Sequence, residues 1–156
     1  MRYADRYCKE TGLRLTKLRR TVLEKIAANH KAIGAYQILD KLAAEGQKLA
    51  PISVYRSLEF LQDAGLIHRL ESSNSYFACQ RSFEDEVTDL SSIPLNKCCE
   101  ASPLVFLICE DCGVIAEVEG ALIKTFIETV VASEKFDVKR SQLEIKGTCV
   151  TCQTSS

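Results

Sequence analysis

Two Cys-x-x-Cys pairs, Cys109 with Cys112 in "LICEDCGVIAE" and Cys149 with Cys152 in "GTCVTC", stand 37 residues apart. Each is led into by an apolar or alternating stretch and each has a glycine close by, Gly113 and Gly147. A pair at this spacing in a turn after a strand brings two sulfurs to one side of the backbone, and two such knuckles converge readily on one tetrahedral ion. The compartment bears on what the sulfurs do. The chain has 156 residues and eight cysteines, is charged from Arg2 onward and has no run of eighteen apolar residues. Neither a signal peptide nor a membrane span is therefore expected, and a cytoplasmic protein is. In a reducing compartment such cysteines serve metal ligation or catalysis more often than disulfides. The expectation is a structural Zn²⁺ held by Cys109, Cys112, Cys149 and Cys152, with a redox disulfide as the competing reading. A thioredoxin-like pair requires a helix N-terminus behind its first cysteine, and neither pair is expected to open one. A zinc deaminase requires a proline before its cysteine pair, and both pairs lack it.

Charge divides the chain. Residues 1–78 carry 13 Lys and Arg against 8 Asp and Glu, and residues 79–156 carry 7 against 13, although the net charge is −1. A basic half suits phosphates and an acidic, cysteine-bearing half suits cations; chance imbalance on solvated faces is the alternative.

The first half reads as helices followed by a hairpin. Arg2 to Glu10 can form a short helix ended by Gly12. Thr16 can cap a second helix with Leu18, Val22, Leu23 and Ile26 on one stripe. "GAYQILDKLAAEG" places Ile38, Leu39 and Leu42 together, and "APISVYRSLEFLQDAG" runs from Pro51 to Gly65. "LIHRL" and "SYFAC", joined by "ESSN", make two strands and a turn. This order is the winged form of the helix-turn-helix, in which the last helix before the wing enters the major groove of DNA. Val54, Leu58 and Leu61 share its core face, which turns Arg56 outward with Tyr55 beside it. An arginine there can take O6 and N7 of a guanine, and a tyrosine can meet thymine methyls or phosphates. A merely solvated Arg56 is the alternative.

In the second half "LVFLIC", "VIAEV" and "SQLEIKG" read as strands, and "GALIKTFIETVVASEKF" as a helix striped by Leu122, Ile123, Phe126, Ile127, Val130 and Val131. A unit this small buries little alone, so pairing with a second copy into a homodimer is expected. The acidic, serine-containing "QRSFEDEVTDLSSIPLNK" reads as a linker. The expected fold class is α+β: a winged-helix DNA-binding domain over residues 1–79, a hinge over 80–102, and a zinc-binding dimerisation domain over 103–156.

His68 on the first wing strand, Cys79 at the end of the second, the vicinal Cys98 and Cys99, and Glu117 after the knuckle together offer imidazole, thiolate and carboxylate. Such a set suits a second zinc. Singly, these residues read as a hairpin histidine, small buried cysteines and an exposed carboxylate.

In order and spacing, "RLTKLRRTVLEKI", "GAYQILDKL", "ISVYRSLEFLQDAGLIHRLESSNSYFAC", "FLICEDCGVIAEV" and "GTCVTC" resemble the ferric uptake regulator family. "GAY", "VYR" and "HRLES-N-Y" are most similar to its zinc uptake regulator branch. The resemblance covers about residues 10 to 152. It implies a dimeric, zinc-dependent repressor of zinc-uptake genes that binds palindromic double-stranded operator DNA. It also implies two zinc ions per chain: one structural, on the four paired cysteines, and one regulatory, on His68, Cys79, a third ligand and Glu117. Relatives place a histidine where this chain has Ser102, and no histidine follows His68. Cys99 is the expected substitute, with Cys98 as the alternative. By the same resemblance Tyr36 and Arg56 reach DNA, although a Tyr36 packed locally at its helix start is an equal reading. A thiol-responsive or other-metal-responsive regulator of the same family is the alternative function. No Ser/His/Asp set, phosphate loop or acid–base pair points to an enzyme.

Overall fold

The structure is a computed structural model that describes residues 2–28, 31–80, 103–138 and 141–154. The chain forms two compact units, whose described residues run from 2 to 80 and from 103 to 154. The expected hinge, with Cys98 and Cys99, lies almost wholly outside the described residues.

In the first unit α1 (Arg2–Glu10), α2 (Lys17–Ala27), α3 (Ala35–Ala44) and α4 (Pro51–Asp63) surround one apolar core. Thr16 caps α2, its hydroxyl accepting from the Arg19 N–H at 3.4 Å, and Val22, Leu23 and Ile26 on the inward stripe are fully buried. Helix α3 starts without a side-chain cap at Gly34, but the Gln37 side-chain oxygen accepts the Gly34 N–H at 2.9 Å. Pro51 opens α4, where a missing N–H costs no helical bond. Val54, Leu58 and Leu61 face the core, as their spacing predicts. Gly65, at φ 69, takes the left-handed turn that ends α4 and feeds the wing.

The wing is β2 (Ile67–Leu70) antiparallel to β3 (Ser75–Ala78), with His68 opposite Phe77 and Ile67 opposite Ala78. A third strand, β1 (Ile33–Gly34), pairs with β3 and gives the order β1-β3-β2. The sequence reading contained no β1. Two residues carry no alternation, and they become a strand only because Ile33 meets Tyr76.

The second unit is a three-stranded sheet ordered β5-β4-β6, with α5 (Ala121–Glu134) and a single helical turn, α6 (Val150–Gln153). Strand β4 (Leu104–Cys109) is central, antiparallel to β5 (Ile115–Glu119) and parallel to β6 (Gln142–Gly147). The two faces differ. Val105, Leu107, Val118, Leu143 and Ile145 alternate onto one, and all but Val105 remain exposed. Phe106, fully buried, lies on the other between Glu117 and Glu144. On α5, Phe126 is 68% and Val130 48% exposed, so its apolar stripe is not spent within the chain.

Candidate metal centre and nucleic-acid interface

The first knuckle is built by the end of β4. Gly113, at φ 73, permits a tight turn in which its N–H bonds the Cys109 carbonyl at 2.9 Å and the Cys109 N–H bonds the Val114 carbonyl at 3.0 Å. Parallel pairing puts Cys109 opposite Gly147, so β6 delivers the second knuckle beside the first, and the Glu110 N–H closes onto the Gly147 carbonyl at 2.9 Å. The outcome is a cluster of four sulfurs, from Cys109, Cys112, Cys149 and Cys152, all within 4.8 Å of one another. The Cys112 and Cys149 sulfurs are 3.7 Å apart, a contact rather than a bond.

The electrostatics of the cluster favour thiolate at one end. The Cys149 N–H points at the Cys109 sulfur at 3.3 Å. The backbone N–H groups of Cys112, Cys149 and Asp111 together hold the Cys109 thiol down to about 6, against the cost of burial. Cys152 is pushed up to about 12, because hydrogen bonds to Cys149 and Cys112 keep its proton. Four soft donors at mutual contact, with backbone N–H groups stabilising sulfur charge, fit a Zn²⁺ with tetrathiolate ligation. One expectation fails here. The second pair does open a helix: Cys149 is the N-cap of α6, a turn too short to show periodicity. A redox role is therefore not excluded on that ground; the convergence of the other two sulfurs is what favours a metal.

In the first unit His68 is 5% exposed and Cys79 is fully buried. The His68 ring lies 5.3 Å from that of Phe77, and the Cys79 N–H bonds the Leu66 carbonyl at 3.1 Å, extending the hairpin by one residue. That closure brings a ligand atom of His68 and the Cys79 sulfur within 4.8 Å. In the second unit Glu117 is half-buried on β5. Cys99 falls outside the described residues.

Arg56 is exposed on α4, opposite the buried Val54, Leu58 and Leu61, and Tyr55 is half-buried against the core. Tyr36, second residue of α3, is 69% exposed rather than packed locally. The sequence reading gave no role to Ile52, which is 57% exposed on the first turn of α4. It lies four residues before Arg56, on the same outward face.

The chain is 30% identical over 149 residues to the zinc uptake regulation protein of Escherichia coli K12, spanning 96% of this chain and 78% of that protein. Its fold is similar to a zinc uptake regulator complexed with zinc and DNA, with a TM-score of 0.81 at 28% identity over 97% of this chain and 91% of the other. It is likewise similar to holo XcZur, with a TM-score of 0.79 at 33% identity over 98% and 96%. The sequence model of the ferric uptake regulator family matches residues 10–92. With an apolar winged helix, an outward arginine on its last helix and a converged four-cysteine cluster behind those likenesses, the chain belongs to the ferric uptake regulator family.

Proposed function

We propose that the protein is a zinc-responsive transcriptional repressor, a regulator rather than an enzyme. It acts in the cytoplasm as a homodimer on palindromic operator DNA and controls zinc-uptake genes. The observation that carries this reading is the pairing of a buried imidazole with a buried thiol, His68 and Cys79, at the end of a DNA-binding wing. The similarity to zinc uptake regulators over nearly the whole chain supports it. We assign one zinc per chain to Cys109, Cys112, Cys149 and Cys152, and a second, regulatory zinc to His68, Cys79, Cys99 and Glu117. Zinc bound to these donors supplies a redox-inert centre that fixes several ligands at once.

The residues divide the task. Tyr36, Tyr55 and Arg56 meet the DNA, and the basic first half is attracted to its phosphates. The exposed apolar sheet face and the stripe of α5 receive a second copy of the chain, which accounts for so much unburied Leu, Ile, Val and Phe on a small unit. A dimer has to present two recognition helices to successive major grooves about one helical turn apart, and zinc on the regulatory ligands selects the state competent to do so.

The test is DNA binding titrated with zinc while zinc per chain is measured. Zinc tightens binding by a coupling of roughly 1–3 kcal/mol, and DNA tightens zinc binding by the same factor. Cys79→Ser keeps the dimer and one zinc per chain but loses the response; Cys99→Ser shares that loss and Cys98→Ser does not. A Cys79→Ser protein that still requires added zinc to bind DNA would falsify the regulatory assignment. A redox-responsive regulator of the same family is the competing reading, favoured by a Cys109 thiol held at about 6. Full retention of zinc after mild peroxide counts against it.

A further inference from the structure

We propose that Ile52 reads DNA directly: its branched side chain meets the 5-methyl group of a thymine in each half-site and adds a thymine preference beside the base taken by Arg56. The inference rests on α4 being the recognition helix. Three features of α4 lead to it. The tip is apolar and outward, since Ala50, Pro51 and Ile52 are all exposed and Ala50 provides no side-chain cap. Ile52 is 57% exposed, while Val54, Ser57, Leu58 and Leu61 take the buried face. Ile52, Tyr55 and Arg56 stand at i, i+3 and i+4, so the isoleucine shares the outward face and the adjoining turn with the arginine. A lone exposed isoleucine elsewhere needs no explanation. On the first turn of a recognition helix, however, the N-terminal residues are those that approach base edges. Isoleucine has no donor or acceptor, and in the major groove the thymine methyl is the apolar feature that it can recognise.

The test uses the duplex that the wild-type, zinc-loaded protein enriches from a random-sequence DNA library, with each thymine replaced in turn by deoxyuridine, which lacks only the methyl group. One thymine per half-site is expected to matter, with about fourfold weaker binding per half-site when its methyl is removed. Ile52→Ala binds the thymine duplex more weakly by a similar factor and is insensitive to that replacement, whereas Arg56→Ala remains sensitive to it. Ile52→Val retains most of the discrimination. Ile52 lies outside the core, and unchanged thermal unfolding of Ile52→Ala separates lost contact from lost fold. A wild-type protein indifferent to deoxyuridine at every position, or an Ile52→Ala protein that keeps full sensitivity, overturns the inference while leaving zinc-dependent repression intact. Failure to enrich any duplex overturns both.

Discussion

Gly120 shows how a single residue constrains the second unit. A Cβ built there lies 2.7 Å from the Pro103 carbonyl oxygen and 3.2 Å from Val105 Cγ2. Its φ of −90 is open to any residue, so the constraint is space and not backbone conformation. Gly120→Ala has to displace backbone at the start of β4 or α5, and a loss of about 1–3 kcal/mol is expected in chemical denaturation. Gly147→Ala is the control, because nothing lies within 4 Å of its Cβ. Arg56 sits at the opposite extreme, exposed and outside the core. Arg56→Ala should leave the unfolding transition where it is and weaken specific DNA binding by roughly 1–3 kcal/mol, relaxing base choice at one position per half-site. Competition binding at fixed salt reads both effects.

At the scale of elements, α1 joins the apolar core of the first unit through Ala4, Tyr7 and Cys8 and is tied to α2 through charge as well. Arg20 donates to Asp5 through its two terminal guanidinium nitrogens, Nη1 at 2.8 Å from Oδ2. The Arg20 hydrogen bond holds the Asp5 carboxyl below its ordinary value of 3.8. Its folded value is therefore lower than its unfolded one. The contribution is present above the unfolded value and is lost as pH falls through the folded one, in the window below about pH 4. Both side chains are more than a third exposed, so solvent screening limits the pair to under about 1 kcal/mol. Asp5→Asn should lose that increment at neutral pH and, relative to wild type, lose less on acidification. The difference between the two proteins' denaturation midpoints at pH 6 and pH 3 checks this, since acid effects on the cysteine cluster are common to both.

At the scale of the whole molecule the two units have different sources of stability. The first has an apolar core of Val22, Leu23, Ile26, Ile38, Leu42, Val54, Leu58 and Leu61, all at most 1% exposed. The second leaves Leu107, Val118, Leu143, Ile145, Phe126 and Val130 at 40% exposure or more, and its knuckles meet through sulfur. With zinc at the four cysteines, metal binding free energy there is also folding free energy. Under the homodimer proposed above, Cys112→Ser, or prolonged exposure to a strong chelator, should release zinc and yield a monomer by sedimentation. The helical signal of the first unit should persist. A Cys112→Ser protein that remains a zinc-loaded dimer of ordinary stability would sink the four-cysteine assignment.

Local pattern made much of this molecule legible in the sequence. The 3.6-residue stripes of α2 and α4, the Thr16 cap and the hairpin of β2 and β3 each depend on neighbours within a few residues, so their signal is written where they form. The four paired cysteines were legible because a knuckle is itself a local turn. Tertiary structure decided what depends on residues far apart. Strand β1 exists only because Tyr76 and Ser75 are there to pair with Ile33 and Gly34. The parallel register of β4 with β6 sets Cys109 opposite Gly147 and so turns two separate pairs into one cluster. The exposure of Ile52 and Tyr36 follows in the same way from which faces their helices bury. Spacing along a chain specifies direction within one element; which residues that direction meets is settled by the packing of elements that the chain brings together from a distance.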